Sequence, residues 1–299
     1  MRAFIAVPAT VANLGAGFDI FALALQLQND VHAEQRGGDV ITIDPGPGAP
    51  HQLRDPARNL VVSAYVRACD ALNVSPGGVH FRCVSRIPIG RGLGSSAAAT
   101  LAGVLTAITF TRAGWGQKEI LDCAATIEGH RDNAAAALLG GLAICPPGAP
   151  TARMDAPEEL HAVLFLPKDR LPTSRSRQVV PEAFSRADAI FNAARCALLV
   201  RAFAIRDYAS LGDAMDDRWH QPARAALVPG LARLCEAARD AGAAGAALAG
   251  AGPSIVALTP LDPTPVVAGL RVAAVEAQID GETLTLDVRN WGTRVDVKP

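Results

Sequence analysis

Apolar and polar residues alternate with period two over residues 77–87, GGVHFRCVSRI, which predicts a strand. Residues 95–110, SSAAATLAGVLTAITF, open with a serine at the expected capping position, continue into good helix formers and predict a helix. Upstream, RAFIAV (2–7) and the segments 30–35 and 39–44 read as strands, and 59–72 as a helix. Ile120, Leu121, Ala124, Ala125 and Ile127 recur at helical spacing within 116–128. A short helix over 133–139 and a strand, GGLAIC, follow. Beyond them come a strand at 161–167, a helical region at 181–216 and a helix at 228–241. A glycine-rich segment then leads to a strand at 254–258, a helix at 264–278 and a final strand, TLTLDV. Strands and helices alternate irregularly, so the class is α+β with mixed sheets rather than a doubly wound parallel sheet. The segment 146–159, PPGAPTARMDAPEE, carries four prolines and is the expected junction, dividing the chain into 1–156 and 157–299.

Between the strand at 77–87 and the helix at 95–110 lie Gly90, Gly92 and Gly94. Glycine loses more backbone freedom on folding than any other residue, so such a cluster is costly to order. A Walker loop would need a lysine after its last glycine, and none is near. A dinucleotide loop would need G-x-G-x-x-G and an acidic residue about 20 positions on. Here the spacing is G-x-G-x-G, and Glu119 is the next acidic residue. Strand, glycine loop and helix N-terminus still leave backbone N–H groups and a positive dipole end facing the loop, which suits phosphate. An ordinary tight turn is the alternative for this segment taken alone.

Composition narrows the class. The 299 residues are enough for two domains. A net charge of −1 argues against nucleic acid or an anionic membrane as partner. Half the residues are apolar but only 5% are aromatic, so Ala, Val and Leu must build the core. The six cysteines are scattered without C-x-x-C or short Cys–His spacing, against zinc and against disulfides. MRAFIAVPAT is too short an apolar run for a signal-peptide core. The uncharged stretches 92–111, 134–152 and 241–261 are too rich in small residues to read as membrane spans. The expected location is the cytoplasm.

Two further segments read as glycine loops: 7–25, VPATVANLGAGFDIFALAL, after the first strand, and 248–258, LAGAGPSIVAL, between strands. With these in view the chain resembles the GHMP family of small-molecule kinases, over essentially its whole length. Pro88 followed by Gly92 to Ala98 matches the family's P-x-x-x-G-L-G-S-S-A-A. Pro8 to Asp19 matches P-A-T-x-A-N-L-G-x-G-F-D, the version found in the branch that phosphorylates L-homoserine. LAGAGPS resembles the third family motif. The resemblance implies an N-terminal ATP-binding domain of the ribosomal-protein-S5 type and a ferredoxin-like C-terminal domain. It implies ATP and Mg²⁺, phosphorylation of the primary hydroxyl of L-homoserine in threonine biosynthesis, and a homodimer. A GHMP kinase for a different small alcohol, or a non-catalytic nucleotide-binding member of the fold, are the alternatives.

The same resemblance implies roles for individual residues. Pro88, Gly90, Arg91, Gly92, Leu93, Gly94, Ser95, Ser96 and Ala97 would hold the nucleotide, with bare glycines admitting phosphate to the backbone. Asn59 would meet adenine, cap a helix, or do both. Glu128 and Ser95 would bind Mg²⁺, and Ser96, Thr173, Asp132 and Asn133 would stand close to the reaction, Asp132 without an assigned proton role. Asn13, Asp19, His130, Arg177 and Arg224 would bind substrate, with Arg175 and Arg218 as rivals for its carboxylate. The family's H-P-D-N-V-A-P is altered: Arg131 and Ala136 replace prolines and Ala134 replaces valine, which predicts a looser loop with an added charge beside the site.

Overall fold

The computed structural model describes residues 1–299. It begins with two long antiparallel strands, β1 (Arg2–Asn13) and β2 (Gly17–Gln35). Their register runs from Arg2 opposite Glu34 to Asn13 opposite Gly17, with shifts at Pro8/Ala9 and Ala12/Asn13. The segment 7–25, expected as a glycine loop, is therefore mostly strand, and only residues 14–16 make the turn. The reason lies in its apolar and small residues, which suit a strand covered on both faces. From Ile5 to Asn13 every residue of β1 is buried. Gly15 is required at the turn: its φ is +86°, and a Cβ there would lie 2.2 Å from the Met215 carbonyl oxygen.

β3 (Ile41–Asp44) runs parallel to β4 (Val79–Val84), which pairs with β2. β5 (Leu142–Ile144) joins β2 farther along, and β6 (Ala152–Met154), unexpected within the proline-rich segment, pairs with β5. Four helices pack with this sheet: α1 (Leu60–Ala71), α2 (Ser95–Thr111), α3 (Gln117–Glu128) and α4 (Asp132–Leu139). α2 and α4 lie on β1 and β2, and α1 crosses α2. That crossing is close because α2 is built from small residues. A Cβ on Gly103 would meet the Val61 carbonyl oxygen at 2.3 Å.

The second half starts with β7 (His161–Pro167) and continues through α5 (Thr173–Gln178), α6 (Arg186–Ile205), α7 (Leu211–Ala214) and α8 (His220–Arg224). The expected helical region 181–216 thus breaks, with Arg206 in the left-handed conformation at φ 58° ending α6. α9 (Leu231–Asp240), β8 (Gly245–Leu248), β9 (Ile255–Thr259), α10 (Thr264–Glu276) and β10 (Gly281–Asp287) follow. The strand order β10-β7-β9-β8, all antiparallel, with α9 and α10 packed against it, is ferredoxin-like. Alternation along β7 sends Ala162, Leu164 and Leu166 into the main core and Val163 and Phe165 into a second core beneath α9 and α10. The last strand, β11 (Arg294–Lys298), returns to pair with β1. We retain 156/157 as a proposed division of the chain, with β11 crossing back over it. No helix is long and apolar enough to cross a membrane.

Candidate active site

A cleft of about 740 Å³ lies between the loop before α2, the turn after β1, and helices α5 and α8. At one end Gly90, Gly92 and Gly94 adopt left-handed φ values of 70°, 74° and 70°, a region other residues enter only at a cost. A Cβ on Gly92 would lie 2.2 Å from the Ala249 carbonyl oxygen, and one on Gly94 would lie 2.0 Å from Thr10 Oγ1. Gly92 and Gly94 are thus demanded by close neighbours inside the protein, a reason that stands beside the expected approach of a ligand, whereas Gly90 has no such contact. Through these contacts the loop leans on β1 and on the turn between β8 and β9. The serines do not cap α2 either. Gly94 is the N-cap, no side chain caps the helix, and its first N–H groups are left facing the loop where Ser95, Ser96 and Ala97 line the cleft.

Glu128 ends α3, where its charge opposes the helix dipole, and its carboxylate is held by two hydroxyls of α2. Oε1 accepts from Ser96 Oγ at 2.8 Å and from Thr100 Oγ1 at 2.5 Å. Thr100 was not anticipated, although it stands one helical turn after Ser96 and so shares its face. Next to Glu128, His130 Nδ1 is 2.9 Å from Asp132 Oδ1. Burial opposes charging His130, but the bond to Asp132 and the charges of Asp132 and Glu128 together outweigh it and raise the pKa above the ordinary 6.5. Asp132, only 1% exposed, also accepts the backbone N–H of Asn133, and Asn133 Oδ1 accepts from Thr10 Oγ1 at 2.7 Å. The altered motif is not a looser loop: residues 132–139 form α4, and Ala134 and Ala136 are buried in the core. Nor does Arg131 charge the cleft, since it pairs with Asp122 on α3.

At the other end Asp19, left-handed at φ 58°, receives two hydrogen bonds from Arg177, at 2.6 and 3.0 Å. Its backbone N–H donates to Asn13 Oδ1, and Asn13 Nδ2 donates to the Gly250 carbonyl. Arg224 is 1% exposed, and all its hydrogen-bond partners are neutral: the carbonyls of Ser176 and Gly250, and His220 Nδ1. Burial, and then the nearby charge of Arg177, bring its pKa down to about 10. A guanidinium only donates, so His220 Nδ1 must accept, and its Nε2–H donates to the Gly15 carbonyl at 2.7 Å. Burial pushes the His220 pKa down to about 4, in keeping with this neutral form. Phe18 lies beneath both arginines, its ring centre 5.5 Å from Arg177 Cζ and 5.1 Å from Arg224 Cζ. His220 and Phe18 were missed, though His220 precedes Arg224 by one helical turn.

Nearly all the expected site residues line this one cleft, including Asn13, Asn59, Pro88, Leu93 and Thr173. Arg91 does not: its Nη2 donates to the Lys168 carbonyl at 2.7 Å, outside the cleft. Asn59 realises the capping role, Oδ1 accepting from the Val61 N–H and Nδ2 donating to the Leu53 carbonyl. Of the rival arginines, Arg218 faces Asp188 and the Phe191 ring, and neither it nor Arg175 reaches the lining. An apolar shelf of Pro50, Leu53, Val61 and Ile87 beside Asn59 was not foreseen, because no motif spans it.

Comparison with known proteins gives concordant results. Residues 59–141 match the family model for the GHMP kinases N terminal domain, and 199–271 that for GHMP kinases C terminal. The chain is 39% identical over 260 residues to the homoserine kinase of Gloeobacter violaceus, covering 86% of this chain and 87% of that one. It is 34% identical over 294 residues to that of Persephonella marina, covering 97% of each. Its structure is similar to the crystal structure of homoserine kinase from Cytophaga hutchinsonii, with a TM-score of 0.86 at 26% identity, covering 99% of this chain and 97% of that one.

Proposed function

The chain belongs to the homoserine kinases of the GHMP family, and we propose that its cleft holds ATP along the glycine loop and L-homoserine against Arg224. It transfers the γ-phosphoryl group of ATP to the primary hydroxyl of L-homoserine, giving O-phospho-L-homoserine and ADP, a step of threonine biosynthesis. The observation that carries the assignment of the two ends is Arg224, a buried cation with neutral partners that opens on the same cleft as the uncapped α2. Such a group favours an anion, and a guanidinium fork suits a carboxylate.

The nucleotide's purine packs on the apolar shelf beside Asn59, and its phosphates meet the N–H groups of residues 92–97, with the hydroxyls of Ser95 and Ser96. No three acidic, histidine or cysteine side chains converge on a metal cage. Mg²⁺ does not need one, because it takes one or two protein oxygens and completes its shell with phosphate and water. Glu128 fits that role, with Ser95 of the same cleft as a second oxygen, and Ser96 and Thr100 hold the Glu128 carboxylate in place. When bound, the metal neutralises charge on the phosphates. At the other end the homoserine carboxylate meets Arg224 and Arg177, its ammonium meets Asp19, and Asn13 and His130 complete the polar wall. Asp132 keeps His130 oriented, with Asn133 and Thr173 close to the transferred group. Phosphoryl transfer passes through a loose transition state, so catalysis rests on aligning the hydroxyl with the γ-phosphorus and stabilising the equatorial oxygens. The donors at α2 serve that purpose.

The test is turnover of purified protein with ATP, Mg²⁺ and a panel of small alcohols, following ADP release and the phosphorus spectrum of the product. ADP formed with L-homoserine alone, together with a phosphomonoester signal, supports the reading. ADP formed only with another alcohol, or with none, overturns it. A homodimer in the cytoplasm completes the proposal, on the family resemblance, and sedimentation velocity checks the dimer.

A further inference from the structure

The glycine loop has no lysine, and its own arginine, Arg91, turns out of the cleft to the Lys168 carbonyl. That bond fastens the segment after β7 to the loop, and the Lys168 N–H is itself held by the Asp280 carbonyl at 2.7 Å. Two residues on, Arg170 lines the cleft. Its Cβ, Cγ and Cδ lie 3.7–3.8 Å from where a Cβ on Gly90 would stand, so its stem runs across the glycine loop.

The other cations of the cleft are paired or stand at its far end. Arg86 pairs with Asp30 at 2.7 Å, Arg177 pairs with Asp19, and Arg224 is fixed among neutral partners at the opposite end. Arg170 makes no ion pair or side-chain hydrogen bond, and is exposed. A nucleoside triphosphate brings about four negative charges to this loop, and backbone N–H groups supply only partial positive charge.

Resting on the nucleotide reading above, we propose that Arg170 is a phosphate-binding residue, presented to the nucleotide by Arg91, which acts as a positioning residue through the Lys168 carbonyl. The pair divides the work that a loop lysine performs elsewhere: one arginine supplies the charge and the other fixes the main chain that carries it.

The experiment is calorimetric titration of the whole protein with ATP, ADP and AMP, which needs no turnover. Arg170→Ala should weaken ATP binding about five- to twentyfold, ADP less and AMP hardly at all, because the lost contact is a solvent-exposed charged one. Arg170→Lys should recover much of the loss. Arg91→Ala should weaken ATP by a similar factor, and Arg91→Ala/Arg170→Ala should be no worse than Arg170→Ala, since both act through one contact. The KM for homoserine should be unchanged in all of them. Unaltered ATP affinity in folded Arg170→Ala overturns the proposal. Additive effects in the double variant overturn the positioning role of Arg91. Absence of ATP binding in the wild type would overturn the nucleotide reading itself, a result distinct from either.

Discussion

Replacing L-homoserine by 4-hydroxybutyrate removes the ammonium and keeps both the carboxylate and the primary hydroxyl, so it isolates what Asp19 contributes. Stranding a desolvated charge at a site costs about 2–5 kcal/mol, but that figure does not apply in full here. Arg177 holds Asp19 through two hydrogen bonds of 2.6 and 3.0 Å, and the two side chains are 34% and 36% exposed. With the analogue bound, Asp19 stays paired and partly wet. What is lost is a hydrogen bond between charged groups, about 1.5–3 kcal/mol, at the lower end because solvent screens it. At about 1.36 kcal/mol per decade of rate, kcat/KM should fall about 10- to 100-fold. Asp19→Asn should use homoserine less well and bring the two alcohols to within about threefold of each other, the preference having rested on a single charged contact. Coupled ADP release with each alcohol measures this directly. Equal kcat/KM for both alcohols in the wild type refutes ammonium recognition by Asp19. A fall of about four decades refutes the screening by Arg177, since only a bare buried charge reaches that size.

Four more outcomes follow from the structure. Glu128→Gln should lower kcat about 100-fold or more with the fold intact, as losing one preorganised electrostatic group does. Thr100→Val, which removes one hydroxyl donor at constant shape, should lower it about three- to tenfold, a charge-assisted bond being partly covered by Ser96; steady-state kinetics across Mg²⁺ concentrations checks both. His220 has a pKa lowered from 6.5 to about 4 by burial. The unfolded chain therefore binds the extra proton between those values, and the stability that His220 confers is whole above pH 6.5 and lost as pH falls toward 4. Urea unfolding of wild type and His220→Gln at pH 7.5, 6 and 5 should show the gap narrowing as pH falls, and a constant gap would refute the neutral tautomer. Gly103→Ala places a methyl 2.3 Å from the Val61 carbonyl oxygen. It should cost about 1–3 kcal/mol by overpacking, read from the urea midpoint, with both KM values unchanged.

What could be read in the sequence follows how each feature is encoded. The strand, glycine loop and helix at 77–110 are contiguous, and their function rests on backbone groups, so the local pattern carries nearly all the information. The alternation in HAVLFLP likewise announced a strand, and its two-sided burial between two cores is that same period realised in space. The segment 7–25 went the other way. Its glycines suggested a loop, but only residues 14–16 turn, and the flanking apolar run is strand because both faces are covered, by α2 and α4 on one side and by distant chain on the other. β6 is three residues long and exists only by pairing with β5, which no local period reveals. β11 did carry a signal, Val295 and Val297 alternating with charged residues, and the apparent completeness of the strand before it hid the repeat.

The site divides along the same line, and the division explains which side chains escaped notice. Residues set by a contiguous motif, such as Asn13, Asp19, Ser96 and Glu128, arrive in the cleft together. The residues that fix site geometry were not singled out, whether inside a motif or beside one: Thr100 holds Glu128, His220 holds Arg224, and Thr10, within the opening motif, holds Asn133. Two of those supports stand one helical turn from a residue already singled out, Thr100 after Ser96 and His220 before Arg224. A helical residue chosen for chemistry shares its face with the residue four positions away, which makes that neighbour the first place to look for a support of the site. The third support, Thr10, also sets the chemistry of the loop. Its hydroxyl occupies the space that a side chain at position 94 would need, and donates to Asn133. One threonine on β1 thus joins the glycine loop to α4, so a substitution at Gly94 would disturb Asn133 as well as the loop. The loss of activity in such a variant is evidence about this packed junction before it is evidence about phosphate.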